Sequence, residues 1–123
     1  MGVVRVLLVD DQPAFLRAMA AVVRETPGFE VVGEASSGEE SLALAASLRP
    51  DLVLMDVNLP GMDGIEATRR LRESRPSPVV LLLSTYEDEA GVRFVSECGA
   101  AGYVTKADLG PERLAAQWSA AQP

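Results

Sequence analysis

Apolar blocks and amphipathic stretches alternate along the chain. Val3, Val4, Val6, Leu7, Leu8 and Val9 make an apolar run broken only by Arg5, and the run stops at Asp10-Asp11. An unalternating run of this length predicts a strand buried on both faces. Pro13 suits a first helical position, and Phe15, Leu16, Met19, Val22 and Val23 then recur at helical spacing until Thr26-Pro27-Gly28 breaks the pattern. The cycle repeats. Phe29 to Ala35 reads as a short strand, and Ser37 with Glu40 forms a capping box for a helix carrying Leu42, Leu44, Ala45 and Leu48 and ending at Pro50. Leu52 to Met55 is a third strand, ending at Asp56. The loop "NLPGMDG" opens a helix with Ile65, Thr68, Leu71 and Arg72, closed by Pro76-Ser77-Pro78 before the apolar run Val79 to Leu83.

The remainder completes two more units. Glu87, Asp88 and Glu89 suit the first turn of a helix, where the macrodipole favours acids, and Val92, Val95 and Cys98 form its inner stripe before Gly99 as a C-cap. Gly102 to Thr105 predicts a short fifth strand ending at Lys106, and Pro111 to Ala121 a last, Ala-rich helix. Five strand-then-helix units imply an α/β fold, a doubly wound five-stranded parallel sheet covered by five helices, in one domain over residues 1–123.

In such a sheet, ligands bind beyond the carboxyl ends of the strands, where strand order reverses. Those ends carry Asp10-Asp11, Asp56, Ser84-Thr85 and Thr105-Lys106. With the flavodoxin-like order 2-1-3-4-5, the first and third strands are neighbours and their carboxylates converge. Like charges about 4 Å apart repel by on the order of 4 kcal/mol per pair at an effective dielectric near 20, so such a cluster requires a cation. Lys106 supplies one charge. The all-oxygen donor set favours a hard ion such as Mg²⁺. A carboxylate beside that ion, with a Lys to neutralise phosphate and a hydroxyl to hydrogen-bond it, is what phosphoryl transfer to Asp requires. Each residue has a plainer reading alone: Asp11 as a cap of the first helix, Asp56 as a loop acid, Ser84 as a cap of the following helix, Lys106 as a solvated charge. Their coincidence at the ends of four strands favours the site.

Composition narrows the partners. Eighteen acidic residues against 11 basic give a net charge of −7, which opposes direct binding of a phosphate backbone by this segment. The single Cys98 cannot form an internal disulfide and fits a buried helix face, and the absence of His removes imidazole chemistry. No leader and no apolar run of membrane length is present, so no membrane contact is expected and the location reads as cytoplasmic.

These residues also carry a resemblance. "LLVDDQPAFLR", "DLVLMDVNLPGMDGIEATRRLR", "VVLLLSTYED" and "GAAGYVTK" resemble, in order and over essentially the whole chain, the acidic pocket, phosphoacceptor strand, switch strand and lysine strand of the response-regulator receiver domain of two-component signalling, with its CheY-like fold. Asp-Gln-Pro at the first helix and "GYVTKAD" look most like the NarL/FixJ (LuxR-type) branch. The resemblance implies that Asp56 accepts a phosphoryl group from a sensor histidine kinase. It implies that Asp11 and Asp56 bind Mg²⁺ together with the backbone carbonyl of Asn58, with Asp10 supporting, and that Lys106 pairs with the phosphate. Ser84 is then expected to swing onto the phosphate and Tyr103 to turn inward, remodelling the surface of the helix after the fourth strand, the fifth strand and the last helix. Tyr103 as a permanently packed aromatic is the alternative.

Four positions depart from the family's usual residues: Ala107 stands where many members have Pro after the lysine, Ser84 where Thr is more frequent, and Thr85 and Tyr86 where smaller residues are often seen. Tyr86 is expected to shade the site from attacking water. Members of this branch commonly continue into a helix-turn-helix DNA-binding domain. The chain stops at Gln122-Pro123, so the expectation is a receiver separated from an effector domain that regulates transcription, with a stand-alone receiver as the alternative and a homodimer possible. No external substrate turnover is expected. An aspartyl phosphatase of the haloacid-dehalogenase type wants an acid two residues after the nucleophile, where Asn58 stands. A flavodoxin-like cofactor binder wants a phosphate-cradling loop where Asp10-Asp11 stand.

Overall fold

The structure is a computed structural model, and it describes residues 2–85, 95 and 97–122. In chain order the elements are β1 (Val4–Val9), α1 (Pro13–Glu25), β2 (Phe29–Ala35), α2 (Gly38–Leu48), β3 (Leu52–Asp56), α3 (Gly64–Glu73), β4 (Val79–Ser84), β5 (Gly102–Thr105), a 3₁₀ turn (Lys106–Asp108) and α4 (Pro111–Ala121). All four pairings are parallel and the order is β2-β1-β3-β4-β5, the doubly wound arrangement expected. Four α-helices rather than five stand among the described residues. The helix expected from Glu87 onward falls mostly outside them, although Val95, Glu97 and Cys98 are helical.

Alternation along the strands builds two cores. Leu7, Val9, Val53, Met55, Val80 and Leu82 face α2, α3 and the buried Cys98, while Val6, Leu8, Leu52, Leu54, Leu81 and Leu83 face α1 and Leu114 of α4. Burying each such side chain contributes about 1.5–3 kcal/mol, which anchors the strands whose ends carry the polar groups. Met19, Ala20 and Val23 of α1 are buried, with Leu16 and Val22 packed beside them. Phe15, expected in that inner stripe, belongs to neither core, and its ring lies at the sheet's carboxyl edge instead.

Local chemistry sets the helix boundaries. Ser37 Oγ accepts from the Glu40 N–H (3.0 Å), and the Glu40 carboxylate reaches back to the Ser36 N–H (2.6 Å), one residue earlier than a standard capping box. Asp63 Oδ1 caps α3 by accepting from the Glu66 N–H (2.8 Å). Gly64, the first residue of α3, lies against the end of β3: a Cβ there would clash with the Asp56 carbonyl oxygen and sit 2.9 Å from Val57 Cα. Only glycine lets this helix start so close to the strand.

Candidate functional site

Register brings the polar strand ends together. Val9 pairs with Met55, Asp56 with Leu83 and Ser84 with Thr105, so β1, β3, β4 and β5 end along one edge. Asp10, just past β1, is fully buried, and its Oδ1 accepts from the Gln12 N–H (2.9 Å). Its Oδ2 has no aligned hydrogen-bond donor but lies 2.7 Å from Lys106 Nζ. The same ammonium is 3.6 Å from Asp56 Oδ2, and the Lys106 side chain is only 8% exposed. A solvated surface lysine is therefore not what the fold makes of Lys106.

Asp56 is buried as the last residue of β3, and its Oδ1 accepts from the Asn58 N–H (3.2 Å). Its pKa is pushed up to about 6, first by burial and then by the charge of Asp10 and, more weakly, Asp11; Lys106 and the Asn58 N–H pull the other way. Asp11 is exposed beside them. It does not cap α1, whose N-cap is Gln12 with no side-chain cap bond. Asp10, Asp11 and Asp56 each offer an oxygen, and all three oxygens lie within 4.8 Å of one another. Among the described residues one ammonium stands against three carboxylates, which leaves room for a second cation. The oxygen donors, one of them a buried Oδ2 without an aligned donor, fit a hard divalent ion.

Ser84 is buried at the end of β4, and Thr85 after it is exposed. Thr105 Oγ1 accepts from the Asp108 N–H (3.3 Å), capping the turn that begins at Lys106. Tyr103 is half-buried on β5 and packs against the core on the α2 and α3 side. Tyr86 lies outside the described residues. Among the described residues a cis peptide falls at Arg75-Pro76, and the Lys106-Ala107 peptide is trans. Two neighbours of the site were not singled out from sequence. Phe15 places its ring centroid 3.8 Å from Lys106 Nζ, and Gly64 holds α3 against the Asp56 backbone. Gly64 had a visible signal, a glycine after a capping acid in "MDG"; Phe15 was hidden because it also satisfies helical spacing.

Comparison with known proteins gives the same picture. Residues 6–118 match the response regulator receiver domain family. The chain is 44% identical over 103 residues to the response regulator GacA of Pseudomonas viridiflava, covering 84% of this chain and 48% of that protein. It is 41% identical over 109 residues to the nitrate/nitrite response regulator protein NarL of Escherichia coli K12, covering 89% and 50%. Among solved structures, the receiver domain of a response regulator NarL from Mycobacterium tuberculosis superposes with a TM-score of 0.88 at 32% identity, covering 98% of both chains. A LuxR-family response regulator from Aurantimonas gives 0.86 at 35% identity, covering 97% of this chain and 84% of that one. The chain spans about half the length of the curated relatives it matches. No helix among the described residues is long and apolar enough to cross a membrane.

Proposed function

The chain belongs to the response regulator receiver domain family, of the NarL and LuxR type, and from that premise we propose that Asp56 is its phosphoacceptor, charged by a sensor histidine kinase. The observation that carries this reading is the Lys106 ammonium set between Asp10 (2.7 Å) and Asp56 (3.6 Å) at the carboxyl edge of the sheet. An Asp56 oxygen attacks the phosphorus of a phosphorylated imidazole. The P–N bond breaks, the imidazole leaves and takes up a proton, and an acyl phosphate remains. Lys106 moves from Asp10 onto a phosphoryl oxygen, and the Asn58 N–H holds the attacking carboxylate in orientation. Asp11 and Asp56, with the Asn58 carbonyl and with Asp10 beside them, would hold Mg²⁺, which when bound screens charge on the phosphoryl oxygens.

Ser84 then hydrogen-bonds the phosphoryl group and Tyr103 follows inward, so that β5, α4 and the segment over 87–98 present a changed surface. Phosphate shifts this balance only by its difference in affinity for the two arrangements. Tyr86 slows hydrolysis of the acyl phosphate by shading it. Relatives described as transcriptional regulatory proteins, LiaR of Bacillus subtilis among them, support transcription control as the output, exerted in the cytoplasm through an effector domain and a homodimer. The test is intact mass after incubation with acetyl phosphate. One phosphoryl group is expected, requiring both Mg²⁺ and Asp56 and lost in Asp56→Asn; an adduct that survives this substitution would refute the assignment.

A further inference from the structure

We infer that Phe15 is a positioning residue for the phosphotransfer, holding the Lys106 ammonium through the face of its ring. The inference rests on the phosphoacceptor reading above and concerns how its lysine is held.

Phe15 stands in the first turn of α1, started by Pro13 and closed by the Phe15 N–H on the Gln12 carbonyl (3.0 Å). This turn follows directly on Asp10 and Asp11, so the ring is carried to the edge where β1 ends. Lys106 arrives from the far side, at the end of β5. Its ammonium has two carboxylates within reach, Asp10 at 2.7 Å and Asp56 at 3.6 Å, and the Phe15 ring centroid at 3.8 Å. With the side chain 8% exposed, the ring stands where water would otherwise complete the ammonium's shell.

Two features separate this contact from ordinary packing. Phe15 is half-buried yet belongs to neither core cluster nor to the half-buried apolar residues packed on them. The attraction of a cation to a ring face is also stronger when the cation is desolvated, as the Lys106 side chain, 8% exposed, largely is. A ring face has no lone-pair direction. The ammonium can therefore slide from Asp10 toward a phosphoryl oxygen on Asp56 without breaking a directional bond to the ring, and a water in the same place would have to be turned or expelled.

The test varies the ring's electrons at constant shape, by replacing Phe15 with 4-fluoro-, 3,5-difluoro- and 3,4,5-trifluorophenylalanine beside Phe15→Leu and Phe15→Trp. Two readouts are followed: the initial rate of phosphoryl uptake from acetyl phosphate, and the water exchange of the Lys106 ammonium by ¹⁵N NMR on unphosphorylated protein. Uptake should fall stepwise with fluorination and roughly tenfold in Phe15→Leu, with Phe15→Trp at or above wild type, while ammonium exchange speeds up in the same order. Rates and exchange indifferent to fluorine would overturn the inference, because packing alone depends on shape. If Phe15→Leu fails to fold, the fluorinated series still decides. A wild type that takes up no phosphoryl group, with exchange still tracking fluorination, would sink the phosphoacceptor reading while leaving the ring's hold on Lys106 intact.

Discussion

At the amino edge of the sheet, Asp51 accepts from the Arg5 N–H (2.9 Å) while its own N–H donates to the Arg5 carbonyl (2.9 Å), and the Arg5 guanidinium donates to the Arg49 carbonyl (2.9 Å). Arg72 likewise donates to Ser77 Oγ and the Pro78 carbonyl, each at 3.1 Å. At the carboxyl edge, oxygens of Asp10, Asp11 and Asp56 crowd within 4.8 Å of one another, and the Lys106 ammonium lies against Asp10 and Asp56. The first arrangement ties charged side chains to backbone groups that the ends of strands and helices leave open. The second concentrates like charge around two buried carboxylates, at a cost in folding free energy that Lys106 offsets in part and a bound cation would offset further. One sheet thus has a closed end and a poised end, and electrostatics tells them apart.

Removing Lys106, the cation paired with Asp10 and Asp56 at the poised end, should have the largest effect. Lys106→Met leaves the buried Asp10 and Asp56 carboxylates without their counter-charge, and urea unfolding at pH 7 should show a loss of about 3 kcal/mol. The loss should shrink by pH 5, where Asp56 takes up a proton; an equal loss at both values would mean that the ammonium acts by packing alone.

Asp56→Asn should act in the opposite direction. The Asp56 pKa is about 6 in the folded protein against an ordinary 3.8, so between these values the folded state holds a proton that the unfolded state has released. Stability of the metal-free wild type therefore falls as pH rises from about 4 through about 6, and Asp56→Asn escapes this fall. Above pH 7 the variant should be the more stable by about 1–3 kcal/mol, with the gap closing toward pH 4 and narrowing when Mg²⁺ is added. Melting curves across that range measure it, and a pH-independent gap would contradict the titration.

How much of this was legible in the sequence depended on whether the signal was local. β1, β3 and β4 followed from apolar runs, because a strand buried on both faces leaves no polar position to blur it, and Asp10, Asp56 and Ser84 stood at the ends of those runs, while the shorter or more polar β2 and β5, the latter ending at Lys106, followed from their place in the alternation. Their convergence needed only the strand order. What stayed hidden depended on side-chain direction or on close approach in space. Phe15 kept helical spacing with Leu16 and Met19, yet one turn at a helix start sent its ring to Lys106 and theirs to the core. Asp11, taken alone, looked like a helix cap, but the N-cap falls one residue later, at Gln12. Gly64 carried a signal in "MDG", yet it read as part of a turn, because its requirement comes from the close approach of the Asp56 carbonyl.

The smallest effect belongs to the closed end and checks the other half of the contrast. Asp51 extends the β1–β3 ladder with its side chain, accepting from the Arg5 N–H where a strand residue's carbonyl would otherwise stand. Asp51→Ala removes that acceptor, but the position is exposed, so water replaces it and the loss should be about 0.5–1 kcal/mol. Asp51→Asn keeps an acceptor oxygen and should restore most of it. Phosphoryl uptake at Asp56 should be unchanged in both, since the whole length of β3 separates the two edges. A loss in Asp51→Ala as large as in Lys106→Met, or an uptake rate that follows Asp51, would show that the two ends are not electrostatically independent.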